Sequence, residues 1–139
     1  MTDPRVTKLA ENLINNAIAL KAGENILIET TDTPDEVTTE LVKAVAKVGG
    51  NAFVHNYRGR VRREMIKSAT IEQMQLQADL AMAEMQKMQA YIAIRGADNA
   101  LENCDIDGRQ MLNYRKINED VLNYRVNKTR WCVLRWPNP

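Results

Sequence analysis

Arginine is the residue type whose spacing in this sequence most suggests a site. Arg58, Arg60, Arg62 and Arg63 crowd into six residues. A solvated basic helix start is one reading, since charge clusters commonly serve solubility. The other reading brings in distant partners. Arg58 follows one apolar run, Arg95 ends a second and Arg135 ends a third. If those runs are parallel strands, Arg58, Arg95 and Arg135 share the carboxyl edge of one sheet, where open α/β sheets receive ligands or neighbouring domains. Guanidiniums gathered there suit a carboxylate or an acidic surface, which they bind through paired N–H donors. This is the candidate anion or domain-docking edge. No nucleic-acid partner is expected, because aromatic residues do not interleave with the arginines and the net charge is only +1.

Other chemistry is poorly supplied. His55 is the single histidine, placed inside an apolar run. Imidazole-based metal sites and Ser-His or Cys-His catalysis need a histidine set against further ligands or a nucleophile. His55 is therefore expected to be a hydrogen-bonded core or rim residue. Cys104 and Cys132 form no CxxC motif, so reduced structural thiols and a cytoplasmic location are expected. Met74, Met82, Met85 and Met88 fall on one helical stretch. Core packing is their first reading and a partner interface their second. Tyr114 and Tyr124 are expected to pack against the sheet with their hydroxyls at its rim.

The elements that would position these residues alternate in period. Asp3 and Pro4 open a helix whose apolar positions, from Val6 to Ile18, follow helical spacing up to Gly23. Residues 25–30 read as a buried strand. Thr33 with Glu36 forms a capping box for a helix that ends at Gly49-Gly50, and residues 51–57 form a second strand. Strand, helix and strand in this order make a parallel βαβ unit with a right-handed crossover. Thr70 and Gln73 open a long helix through about Gln89, followed by a strand over 90–95. Asp107 precedes a last helix to about Asn123, and a fourth strand covers 129–135. The predicted fold is an α/β single domain. It has an open parallel four-stranded sheet with helices on both faces, a Rossmann-like or flavodoxin-like three-layer arrangement. The 25–30 strand should lie between the 51–57 and 90–95 strands, with the 129–135 strand outside the latter.

Composition sets the outer bounds. Hydrophobic and charged fractions of 45% and 27% are those of an ordinary globular domain. A chain of 139 residues buries about 65–70% of its unfolded surface, enough for one core. The sequence has no apolar run long enough for a membrane span, and none is expected. Dinucleotide binding is excluded. The segment leaving the first strand, Glu29 to Glu36, has no glycine to let backbone close on a pyrophosphate, and its four carboxylates would repel one. A response-regulator receiver is disfavoured as well, since the third strand ends on Arg95-Gly96 with Asp98 two residues beyond. Trp136, expected to be exposed after a terminal core strand, points to a covering element elsewhere. Residues 1–139 are thus expected to be one domain of a longer protein.

Several segments resemble one family in order along the chain. They are Ala10-Glu11-Asn12-Leu13, Lys21 through Ile28, Val42 through Gly50, Ala90 through Gly96, and Leu134-Arg135-Trp136-Pro137. These are similar to the start of the thermophilic-type metal-dependent aminopeptidases, the family of aminopeptidase T and aminopeptidase S. The resemblance implies an exopeptidase that removes amino-terminal residues from peptides with two divalent metal ions, zinc, cobalt or similar, and works as a homodimer. It also implies that the metal ligands belong to a carboxyl-terminal catalytic domain. No residue here matches them, so no catalytic, cofactor or metal residue is assigned and this chain alone is expected to be inactive. The alternative is a free-standing α/β ligand- or partner-binding module that uses the arginine-lined edge.

Overall fold

The structure, a computed structural model, describes residues 2–96 and 105–137. Four strands, β1 (Asn25–Thr31), β2 (Asn51–Tyr57), β3 (Ala90–Gly96) and β4 (Arg130–Trp136), form one sheet in the order β2-β1-β3-β4. All three pairings are parallel. The predicted class, order and direction therefore hold.

The period-2 alternation of the central strands divides the core in two. Ile26 and Ile28 of β1 and Ala90, Ile92 and Ile94 of β3 point to one face. There they meet α1 (Pro4–Asn12) and α2 (Asp35–Lys47), which supply Val6, Ala10, Leu41 and Val45. Leu27, Tyr91 and Ala93 point to the other face, against α4 (Ile71–Met85) and α6 (Glu119–Lys128). Two further helices, α3 (Gly59–Ser68) and α5 (Gly108–Ile117), pair with each other on the α4 side.

Local chemistry explains where elements depart from the predicted boundaries. The first helix does not run regularly to Gly23. After Asn12 it widens into a π turn over Leu13–Ala17, with Ile18 N–H donating to the Leu13 carbonyl at 2.8 Å. The extra residue in this turn lets Leu13, Ile14 and Ile18 all reach the core. Ala19 then reverses the chain at φ +52°.

The capping box at Thr33 is not formed. β1 holds the predicted residues 25–30 and continues one residue further, to Thr31. Asp32 follows at φ +53°, donating its N–H to the Tyr57 carbonyl and accepting from Gly59 N–H. That anchorage delays α2, whose N-cap is Pro34, and leaves the Thr33 hydroxyl buried without a hydrogen-bond partner. Glu36 turns instead to the Asp3 backbone N–H at 2.6 Å. At α4 the Thr70 hydroxyl does accept from Gln73 N–H, but the helix ends at Met85, short of Gln89.

The single last helix is two helices. Asn118 (φ −89°, ψ 0°) breaks it, with its side-chain amide donating to the Tyr114 carbonyl. Trp136 is half-buried against the α1/α2 core, because its face of β4 is shared with Cys132 and Leu134. Trp131, on the opposite face, is the exposed tryptophan.

Gly96 marks the closest approach at the carboxyl end of the sheet. A Cβ there would lie 2.7 Å from the Asp32 carbonyl oxygen, so only glycine lets β3 end against the β1–α2 turn.

Candidate functional site

A cleft of about 1040 Å³ opens on the α4/α6 face, toward the carboxyl ends of β1, β2 and β3. Its floor is Glu29, His55, Tyr57 and Arg95 from the strands. Its walls come from α3, α4, α5 and α6.

Glu29 is the centre of the floor. It lies in β1 beside His55 of β2 and Ala93 of β3. One carboxylate oxygen accepts from the Arg125 guanidinium at 3.0 Å and the other from the Tyr91 hydroxyl at 2.9 Å. The Glu29 and Arg125 side chains are only 13% and 20% exposed, so the pair is shielded from solvent. The Arg125 guanidinium also lies 4.6 Å from the Tyr91 ring centroid, which adds a cation–π contact. Burial first, and then the Glu29 charge, pushes the Tyr91 hydroxyl well above its ordinary pKa and keeps it a neutral donor.

Two further pairs flank this triad. His55 Nε2 sits 2.8 and 3.0 Å from the two Glu84 carboxylate oxygens, and its ring stacks on Tyr57 at 5.9 Å. Arg62 lies 4.3 Å from the Tyr57 ring centroid and donates to the Tyr114 hydroxyl at 3.0 Å. Burial, followed by the Glu29 charge, raises the Tyr57 pKa too.

The arginines singled out by spacing are distributed differently from one another. Arg95 and Arg135 are register partners on β3 and β4, so their backbones lie one strand spacing apart at the carboxyl edge. Arg58 is the exposed N-cap residue of α3, one position past Tyr57. Arg95 lines the cleft, whereas Arg58 and Arg135 do not. Arg62, from the same basic run, reaches into it. Met74, Met85 and Met88 are buried and Met82 is half-buried, as core packing requires. Tyr114 lies on α5, which packs on other helices rather than on the sheet, and its hydroxyl accepts from Arg62, while Tyr124 packs on the α4/α6 core. Cys132 is half-buried and forms no disulfide among the described residues, and burial raises its thiol pKa. Cys104 and Asp98 lie outside the described residues.

Glu29, Tyr91, Glu84 and Arg125 were not singled out in the sequence. One signal for Glu29 was present. A carboxylate in the middle of Ile26-Leu27-Ile28-Glu29 either lies at an edge or has a partner. The partner itself stands 96 residues away.

These side chains can bind and orient a polar molecule, but they do not fit a pair of metal ions. Among the described residues, no three of His, Cys, Asp and Glu gather as ligands. His55 and Glu84 make a pair only, and both Glu29 oxygens are engaged. No helix among the described residues is long and apolar enough to cross a membrane.

Comparison with known proteins bears on the whole chain. The family model described as thermophilic metalloprotease (M29) matches residues 2–139. Among solved structures, wild-type AmpT from Thermus thermophilus superposes with a TM-score of 0.73 at 16% identity. That alignment covers 98% of this chain and 36% of AmpT, so the chain spans about a third of that protein's length. The structure of VinN aligns at a TM-score of 0.39 and 9% identity, covering 84% of this chain and 27% of the other. No curated protein sequence matches.

Proposed function

Because the chain belongs to the thermophilic metalloprotease (M29) family, we propose that residues 1–139 are the amino-terminal α/β domain of a longer two-domain aminopeptidase. This domain supplies no catalytic or metal-binding residue. A separate carboxyl-terminal domain carries two divalent ions, zinc, cobalt or similar, which activate water for release of amino-terminal residues from peptides. The intact enzyme works as a cytoplasmic homodimer.

One observation carries this reading. A chain matched by the family model almost end to end aligns with only 36% of AmpT, and its described residues bring together no metal-ligand set. The domain's role is then to shape the approach to a site held elsewhere. Arg58, Arg95 and Arg135 at the carboxyl edge would meet a substrate carboxylate or an acidic surface of the catalytic domain.

The direct test is catalysis by the purified chain with aminoacyl chromogenic substrates and added zinc, cobalt or manganese. No turnover is expected. Metal-dependent turnover abolished by a chelator would overturn the proposal. Reading the gene past codon 139 tests the domain assignment. A continuation carrying Glu, His, Tyr and Asp ligands is expected, and an in-frame stop would favour a free-standing binding module. The cleft is the observation that favours that second reading, since it is a ligand-sized cavity built from this chain alone.

A further inference from the structure

The cleft on the α4/α6 face has two properties that point to a ligand. The first is apolar. Leu80 of α4, Leu112 of α5 and Leu122 of α6 are 64%, 63% and 57% exposed, and all three line this one cavity. Single exposed leucines are ordinary on a protein surface. Three from separate helices converging on one concavity form an apolar wall. Its volume of about 1040 Å³ lies just above the range of ~300–1,000 Å³ typical of small-molecule sites.

The second property is electrostatic. Of the carboxylates in the lining, Glu29 is neutralised by Arg125 and Glu84 is bound to His55. Glu84, whose partner is an imidazole that carries charge only when protonated, and Glu119 are the lining carboxylates with no Arg or Lys partner among the described residues. On the other side, Arg62, Arg95, Arg115 and Lys116 also line the cleft, and none of them pairs with a carboxylate there. Arg62 is the most telling. Its guanidinium is half-buried, stacked over Tyr57 and fixed by the Tyr114 hydroxyl. These contacts orient it, but neither neutralises it. A guanidinium has five N–H donors, and one hydrogen bond leaves most of them available. Glu29 attracts this half-buried guanidinium from a distance, but no carboxylate contacts it, so an anion seated against its free N–H edge would gain a charge-assisted pair.

We propose that this cleft binds a carboxylate carried on an apolar chain, as presented by the last residue of a peptide or by a free aliphatic acid. Arg62 takes the carboxylate through its paired N–H edges, and Arg95 adds a longer-range attraction. Leu80, Leu112 and Leu122 cover the apolar chain. A single negative charge matches Arg62, the half-buried guanidinium of the lining that no carboxylate contacts, and the apolar wall favours an acid with an aliphatic chain over inorganic phosphate. The site is built from this chain's residues and stands whether or not the chain belongs to a peptidase.

The test is titration of the intact chain, by calorimetry and by two-dimensional amide NMR, with N-acetyl-leucine and with octanoate. Acetate, N-acetyl-leucine amide and inorganic phosphate serve as controls. Both apolar acids should bind saturably and shift amides around Arg62, Leu80, Tyr114 and Leu122. Acetate, the amide and phosphate should bind about tenfold or more weakly, since each lacks one of the two features. Tighter binding of N-acetyl-leucine than of octanoate identifies a peptide terminus as the source, and the reverse order identifies a free acid. Arg62→Gln should weaken the acids about tenfold, with the unfolding midpoint little changed. If that variant does not fold, the acid-against-amide comparison on the unaltered chain decides. Equal binding of acid and amide, tighter binding of phosphate, or shifts mapping away from the cleft would overturn the proposal.

Discussion

The two faces of the sheet are built from the same strands and differ in what they do with them. On the α1/α2 face, Ile26, Ile28, Ala90, Ile92 and Ile94 are buried in one continuous apolar cluster. On the α4/α6 face, the alternate residues begin apolar with Leu27 and Tyr91 and become polar toward the carboxyl end, with Glu29, Tyr57 and Arg95. One face is filled by side chains, and the other is filled at its amino end and left open at its carboxyl end. The fold thus concentrates stability on one side and keeps a charged, accessible cleft on the other, at the end where α/β sheets receive ligands.

The comparison predicts unequal costs for equivalent truncations. Ile92→Ala on the closed face should lose about 2–5 kcal/mol, because well-packed neighbours relax little into the gap. Met85→Ala on the cleft face should sit at the low end of that range, since Met82 and other flexible neighbours can adjust. Urea denaturation of the two variants measures this. Equal losses would mean that the open face is packed as tightly as the closed one.

Glu29→Ala tests the polar part of the cleft face. It removes the acceptor for both the Arg125 guanidinium and the Tyr91 hydroxyl. Leaving shielded donors unpaired should cost about 1–3 kcal/mol. Replacing both charged partners, as in Glu29→Gln with Arg125→Met, should recover much of that loss, because no uncompensated charge remains. A double-mutant cycle with no coupling would show the pair to be solvent-screened.

The division between the faces also marks what the sequence discloses. Strands are short apolar runs bounded by Gly, Asn and Asp, and a βαβ unit followed by a chain reversal allows few strand orders, so the sheet was legible. The closed face was legible too, since helical spacing from Val6 to Ile18 names its residues even though the π turn was not visible. The cleft was not. Its central pair, Glu29 and Arg125, is joined only by tertiary structure, and Tyr91 reads in sequence as one more apolar strand residue. The break at Asn118 was hidden as well, because polar and apolar residues continue through it at helical spacing. The arginine run was visible, but spacing alone favoured Arg58, which is exposed, over Arg62, which enters the cleft.

Alkaline pH should weaken the cleft face selectively. An unfolded tyrosine ionises near pH ~10, while burial and the Glu29 charge hold Tyr91 protonated to higher pH in the fold. The stabilisation is fully present below that unfolded value and is lost as pH rises above it, when only the unfolded state releases the proton. The slope from this one group is at most about 1.4 kcal/mol per pH unit. Tyr57 contributes in the same direction. Denaturation midpoints from pH 8 to about 11 should therefore fall less steeply in Tyr91→Phe than in the unaltered protein. Parallel profiles would remove Tyr91 from the account.

The smallest effect on stability is expected at the sheet edge, where it separates structure from function. Arg95 is exposed and has no ion-pair partner among the described residues, so Arg95→Ala should change stability by no more than about 0.5 kcal/mol. Arg58→Ala and Arg135→Ala should be as mild, since neither side chain is buried. Their binding effects should differ. Arg95 lines the cleft, and its removal should weaken binding of N-acetyl-leucine by a few-fold, less than removal of Arg62, because an exposed charge is screened by water and salt. Arg58 and Arg135 lie outside the lining and should leave that binding unchanged. If all three substitutions weaken it equally, the arginines act as one continuous edge, as their spacing in the sequence suggests. If Arg95→Ala alone does so, the cleft and not the edge is the unit of recognition.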